Sequence, residues 1–239
     1  MNPAMGAEAP LGRVAAIIPA AGQGKRMGGG TVKQFLPLLG KPVLAHTLAA
    51  FEAAACITDV VLVVGDELVD ACRNDIVAQY GFHKVRGIVA GGRERQDSVF
   101  NGLRSLGPGY ELVVVHDAAR PLITPAVLER AVAAARGRGS VVVAVPVKDT
   151  IKLVDDQGAV RETPDRGRLW AAQTPQVFPF EALLEAHHKA RREGFIGTDD
   201  AALVERLGRP VYVLEGSPEN IKITTPEDLL LAESILGRR

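Results

Sequence analysis

Val14-Ala-Ala-Ile-Ile18 runs directly into Pro19-Ala-Ala-Gly-Gln-Gly-Lys-Arg-Met27 and on through Gly28-Gly-Gly-Thr-Val-Lys-Gln34. A short, wholly apolar run that opens at once into a glycine-rich loop reads as a buried strand ending at a ligand, as in open α/β sheets. Five glycines between Pro19 and Gln34 let the backbone come close to a bound group. Lys25, Arg26 and Lys33 add three positive charges, and no acidic residue lies between Glu8 and Glu52 to neutralise them. Backbone N–H groups with uncompensated cations suit a polyphosphate. A surface turn is the plain alternative; the strand before the loop and the acid-free surroundings favour phosphate. Two common phosphate devices do not fit. The dinucleotide fingerprint needs a glycine where Met27 stands, and a P-loop needs Ser or Thr where Arg26 stands and glycine in place of Pro19.

Outward from this loop, β-branched runs alternate with amphipathic stretches. Strands are predicted at Val14–Ala20, Asp59–Val64, Lys84–Ala90, Glu111–His116 and Ser140–Val145. Helices are predicted at Pro42–Ala54, Asp66–Gln79, Arg95–Ser105 and Thr124–Arg136. Continuous runs such as Val113-Val-Val and Val141-Val-Val suit strands buried on both faces of a parallel sheet. The expected fold is therefore a doubly wound, mostly parallel α/β sheet of Rossmann-like type. Thr124-Pro125 and Thr225-Pro226 place an N-cap before a first-turn proline.

The alternation breaks after Pro146. Thr150–Val154 and Ala159–Glu162, joined by Asp155-Asp-Gln-Gly158, predict a hairpin with little apolar material to bury. It reads as a projecting arm, over about 147–169, that packs on a second subunit; a flap over the site is the alternative. Helices at Pro179–Glu193, Asp199–Leu207 and Pro226–Leu236 follow, with strands at Pro210–Leu214 and Asn220–Ile223. Residues 1–13 read as a disordered tail and 14–239 as one domain.

Bulk properties narrow the partners. Lys plus Arg and Asp plus Glu both number 28, so the basic excess of a nucleic-acid-wrapping protein is absent. No apolar run suggests a membrane span or a signal segment, which leads to a cytoplasmic expectation. Cys56 and Cys72 lack CxxC spacing and read as ordinary thiols of a reducing compartment.

Open α/β sheets bind ligands at the carboxyl ends of their strands, which filters the candidates. After the third strand comes Gly91-Gly92-Arg93-Glu94-Arg95-Gln96-Asp97-Ser98, where Ser98 could meet a base or serve only as a helix-start hydroxyl. After the fourth comes His116-Asp117-Ala-Ala-Arg120. Asp117, facing a polyphosphate loop, offers hard oxygen to Mg²⁺, and Arg120 could grip a second phosphate. A capping role for Asp117 is the plain alternative. His116 reads as a packed residue rather than a base, and His187-His188 cannot share one helix face around a metal. Further on, Thr150, Arg166, Thr174, Thr198 and Lys222 are candidates; a lysine within an apolar run calls for an anionic partner.

Together these motifs resemble the 2-C-methyl-D-erythritol 4-phosphate cytidylyltransferases. The resemblance is carried by Pro19-Ala-Ala-Gly-x-Gly-Lys-Arg-Met27 with Lys33-Gln34, Gly91-Gly92 with Asp97-Ser98, and Val115-His-Asp-Ala-Ala-Arg-Pro121. It continues through Pro146-Val-Lys-Asp-Thr150, Asp165-Arg166, Ala172-Gln-Thr-Pro-Gln176, Thr198-Asp-Asp-Ala201 and Asn220-Ile-Lys-Ile-Thr224. It implies transfer of a cytidylyl group from CTP to a polyol phosphate, with Mg²⁺ as cofactor and a homodimer formed through the arm. By position it makes Arg26, Lys33 and Lys222 the groups on the phosphates and Asp117 the metal ligand. It assigns Ala20, Ala21, Gly22, Gly24, Lys25, Gly92, Arg93 and Ser98 to the nucleotide. Arg120, Thr174 and Thr198 would meet the polyol phosphate, with Thr150 and Arg166 reaching in from the partner. Arg93 departs from relatives that carry Asp there. Ribitol-5-phosphate cytidylyltransferases have similar loops, but Leu169-Trp-Ala-Ala-Gln and Thr198-Asp-Asp-Ala look more like the methylerythritol enzymes. A non-catalytic nucleotide-binding module is the alternative from another class.

Overall fold

The structure, a computed structural model, describes residues 12–22 and 33–239. In chain order, β1 (Arg13–Pro19) is followed by two short strands, β2 (Pro37–Leu38) and β3 (Lys41–Pro42), and by α1 (Val43–Ala53). β4 (Asp59–Val64), α2 (Val69–Ala71), β5 (Val85–Ala90), α3 (Arg95–Ser105), β6 (Tyr110–Val115), α4 (Pro125–Arg138) and β7 (Ser140–Pro146) continue the alternation. β8 (Leu153–Val154) and β9 (Val160–Glu162) form a separate small hairpin. β10 (Trp170–Pro179), α5 (Phe180–Glu193), α6 (Asp200–Glu205), β11 (Val211–Glu215) and α7 (Pro226–Leu236) complete the chain.

Seven strands form one sheet in the order β11-β7-β10-β6-β1-β4-β5. β1 pairs in parallel with both β4 and β6, and β10 alone runs antiparallel to its neighbours. The apolar runs explain why. All six residues of β4 are buried, as a strand covered on both faces requires. Alternate residues of β1 feed opposite cores: Val14, Ala16 and Ile18 pack with α1 and α4, whereas Ala15 and Ile17 pack with α3 and α5. A third cluster around Leu38, Leu122 and Ile223 lies beneath α7. From β1 the chain steps outward to β4 and β5, then returns to place β6 on the other side. The crevice beyond β1 and β6 is thus the topological switch point, where such sheets bind ligands.

Several expectations change. β10, a ten-residue central strand, was not predicted, because its interior Pro175 argues against a strand. The sheet tolerates it where pairing with β7 is interrupted, between Ala172 and Gln176. Asn220–Ile223 is not a strand: Ile221 N donates to Glu219 O in a local turn, and Ile223 N donates to Ala119 O in the segment after β6, so its backbone is satisfied outside any strand ladder. Arg13, expected in the tail, opens β1 and pairs with Asp59 at 2.6 Å. Helix 66–79 breaks into a 3₁₀ turn, α2 and a π-helix over Cys72–Ala78. Thr225 caps α7 by accepting from Asp228 N, but Thr124 makes no side-chain cap bond. Both cysteines are unpaired, and burial, aided by Asp75, pushes the Cys72 thiol up to about 11.

Candidate active site

Three strand ends build the site. At the end of β1, Ala20 N donates to Val63 O at 2.6 Å, and the buried Gln34 amide donates to Ala20 O. Lys33 opens the 3₁₀ turn Lys33–Phe35. Gly24, Lys25 and Arg26 lie outside the described residues. At the end of β5 the paired glycines are needed for packing. A Cβ on Gly91 would overlap that of Ala21, and one on Gly92 would overlap Asp97. Glycine at both positions is thus required by contacts within the protein itself. Ser98 Oγ accepts from Gly92 N at 3.1 Å and donates to Glu94 O at 3.2 Å, closing this loop. It also lines the cavity beyond these strand ends.

At the end of β6 a chain of bonds fixes residues 116–120. Asp117 N donates to Thr174 Oγ1 at 3.1 Å. Since Arg120 O only accepts, His116 Nε2 carries the proton of their 3.2 Å bond, and Thr174 Oγ1 donates to His116 Nδ1 at 2.9 Å. Burial pushes His116 down to about 4, so it is neutral at neutral pH. Thr47 Oγ1 donates to Ala118 O at 2.8 Å from α1. Thr174 thus acts on the site by holding this turn.

Asp117 sits in an ion cluster. Lys222 Nζ lies 2.7 Å from Oδ2, and Arg95 Nε donates to Oδ1 at 3.1 Å. Arg95 Nη1 donates to Asp200 Oδ2 at 2.7 Å, and His187 Nε2 lies 3.2 Å from Asp200 Oδ1. Burial alone would raise Asp117, but Arg95, Lys222 and Arg120 outweigh it and hold the carboxyl well below the usual range. Asp200 is held low in the same way, by Arg95 and His187 against burial. Burial also lowers Arg120, whose Nη1 donates to Asn220 O at 2.7 Å. Asn220 Nδ2 in turn donates to Thr174 O at 2.8 Å, so the segment carrying Lys222 is tied to β10.

Two cavities meet at this cluster. The larger, about 800 Å³, is lined by Ala20, Ala21, Gly22, Gly92, Arg93 and Ser98. The smaller, about 280 Å³, is lined by Arg120, Thr174, Thr198 and Asp199. Arg95, Asp117 and Lys222 line both. The structure therefore places those expected nucleotide residues that it describes beside Arg120, Thr174 and Thr198, as two adjoining groups. It does not bring Thr150 or Arg166 to either: both are exposed in the arm, where Arg166 Nη1 donates to Lys148 O at 2.7 Å. Arg95, Asp200, Gln34 and Asn220 were not singled out from the sequence. Arg95 stands in a charge-rich loop and Asp200 beside a capping aspartate, so neither signal separates them from solvated surface.

Each Asp117 oxygen accepts one bond, which leaves carboxylate lone pairs unused. No group of three metal-ligating side chains occurs among the described residues. The site thus fits a cation that takes a single protein oxygen and completes its shell from phosphate and water, as Mg²⁺ does.

A mostly parallel sheet ending in adjoining cavities, with paired buried charges in the wall between them, has the form of a nucleotide-handling α/β enzyme of the nucleotidyltransferase type. The sequence profile of the IspD family, 2-C-methyl-D-erythritol 4-phosphate cytidylyltransferase, matches residues 14–238. The chain belongs to this family. It is 54% identical to the 2-C-methyl-D-erythritol 4-phosphate cytidylyltransferase of Geotalea uraniireducens, over 94% of this chain and 97% of the relative. The protein of the same name from Desulforamulus reducens is 51% identical, over 96% and 98%. Among solved structures, 4-diphosphocytidyl-2C-methyl-D-erythritol synthase from Anaerococcus prevotii is similar at a TM-score of 0.85 and 34% identity, covering 95% of this chain and 97% of that one.

Proposed function

We propose that this chain transfers the cytidylyl group of CTP to 2-C-methyl-D-erythritol 4-phosphate. The products are 4-diphosphocytidyl-2-C-methyl-D-erythritol and pyrophosphate, in non-mevalonate isoprenoid synthesis. The observation that carries this reading is the pair of cavities sharing Arg95, Asp117 and Lys222 as a common wall. A wall shared by two adjoining cavities lets two substrates be held next to each other. CTP takes the larger cavity, with the backbone of Ala20–Gly22 and Gly92–Arg93, and Ser98, around its base. The polyol phosphate takes the smaller, against Arg120, Thr174 and Thr198.

An ionised oxygen of the polyol phosphate attacks the α-phosphorus of CTP in line, and the bond to pyrophosphate breaks on the opposite side. The nucleophile is already ionised, so no side chain need take a proton. His116, neutral and bonded at both nitrogens, fits that absence of a base. Arg26, Lys33 and Lys222 offset the charge that gathers on the phosphates, with Gly24 and Lys25 among the residues that bind the nucleotide. Mg²⁺, held by Asp117, would supply further charge neutralisation on the phosphate oxygens.

The chain forms a homodimer through its arm, and Thr150 and Arg166 complete the partner's smaller cavity. Leu153, Val154 and Val160, 50%, 56% and 56% exposed, support such an interface. The unpaired cysteines support a reducing, cytoplasmic setting. Parallel assays with CTP, Mg²⁺ and either methylerythritol phosphate or ribitol 5-phosphate, following pyrophosphate, test the assignment. Turnover on the first is expected; turnover on ribitol 5-phosphate alone, or CTP binding without turnover, would reject it.

A further inference from the structure

Arg95 lines both cavities and touches both buried carboxylates, and nothing in the reaction so far uses it. It is the first residue of α3, directly after the loop 91–94 that lines the larger cavity. Its Nε is committed to Asp117 and its Nη1 to Asp200. Asp200, its side chain 1% exposed, begins α6 and is braced from behind by His187 of α5. The residues leading into α6, Thr198 and Asp199, line the smaller cavity, and Asp199 Oδ2 accepts from Gln176 at 2.7 Å. A guanidinium is a planar fork of fixed geometry, so one that bonds two carboxylates acts as a strut between the elements that carry them.

Charge explains why the strut stays in place. Arg95 and Lys222 balance Asp117 and Asp200 before any ligand arrives. If Arg95 turned to a phosphate, Asp200 would keep, among the described residues, only His187 as a side-chain partner in a buried setting, which is strongly unfavourable. Lys222 has a side chain 37% exposed and pairs with Asp117, which keeps Arg95 as well, so it can turn to phosphate at far lower cost. We propose that Arg95, braced by Asp200, is a positioning residue that fixes the Asp117 carboxylate and ties the shape of the smaller cavity to the larger, without binding phosphate itself. The proposal rests on the reading of the cavities as nucleotide and polyol-phosphate sites.

Arg95→Lys keeps the charge, but a compact ammonium cannot span both carboxylates. Asp200→Asn keeps shape and removes the brace. The expected outcome for Arg95→Lys is a kcat lowered by at least about tenfold and a raised KM for the polyol phosphate, with the calorimetric Kd for CTP alone changed by less than about threefold. Asp200→Asn shifts kcat and KM the same way, and the double variant falls short of the product of the single effects, as residues acting as one unit do. A smaller fall in kcat, a larger rise in the CTP Kd, or independent effects in the double variant would overturn the proposal. So would loss of cooperative melting in either single variant, which would assign the pair to the fold. An unmodified protein inactive on both polyol phosphates would instead overturn the functional reading, and the proposal with it.

Discussion

The ends of β1 and β6 and the hairpin of β8 and β9 treat charge and apolar surface in opposite ways. At the strand ends, Asp117, Asp200 and Arg95 are drawn into the protein and paired with one another on top of the apolar core. In the arm, the Arg161–Asp155 and Lys152–Thr163 contacts lie at the surface, while Leu153, Val154 and Val160 face outward. The charges of the first region are paired within its own chain before any ligand arrives, which is the condition for electrostatic preorganisation. The second has no core of its own, and its apolar side chains call for another surface. The contrast separates charge that the subunit settles internally from apolar surface that it leaves uncovered.

The largest expected effect comes from removing a cation at the strand ends. Lys222→Ala should lower kcat by at least about a hundredfold, roughly 3 kcal/mol of transition-state stabilisation, with the melting midpoint little changed. Lys33→Ala, read from the sequence alone, should behave alike. Near-normal turnover of either in a pyrophosphate assay would break the preorganisation argument.

Next in size is a pH effect. The folded-state pKa of His116, about 4, lies below the unfolded value near 6.5, so its contribution is fully present above 6.5 and is lost as pH falls toward 4. Urea unfolding across this range should reveal a loss on the order of 3 kcal/mol. Asp117 and Asp200, held low, add to the loss only as pH drops below the ordinary carboxylate range. A flat profile between pH 6.5 and 4 would remove His116 from the account.

Gly91→Ala sharpens the same side of the comparison. The added methyl overlaps Ala21, so overpacking should cost about 1–3 kcal/mol by denaturant unfolding. An unchanged midpoint would mean that the two loops can move apart. Smallest for the subunit itself, Leu153→Ser with Val160→Ser should alter its stability by less than about 0.5 kcal/mol, since both residues are exposed. Sedimentation should nevertheless detect weaker self-association, and an unaltered dimer would reject the arm as the interface.

Much of this contrast can be read along the chain. The runs in β1, β4, β6 and β7 announced a buried parallel sheet, and Asp117 stood out because it follows Val113-Val-Val115. Lys222 was legible as a lysine in an apolar stretch, although that stretch bonds outside any strand ladder. β10 escaped because proline in a strand is normally a counter-signal, and only the break in pairing with β7 accommodates it. Arg95 and Asp200 escaped for another reason. Each has a local alternative, a solvated loop arginine or a second residue beside a helix cap, that sequence cannot tell from a buried partner.

Local chemistry is what the sequence alone determined: strand periodicity, a glycine-rich cationic loop, and the residue types able to meet phosphate and metal. The tertiary structure decided which charges face one another. Arg95 meets Asp117 across 22 positions and Asp200 across 105, while Thr174 reaches His116 across 58. Ion pairing depends on separation and on the dielectric that burial creates, and packing sets both.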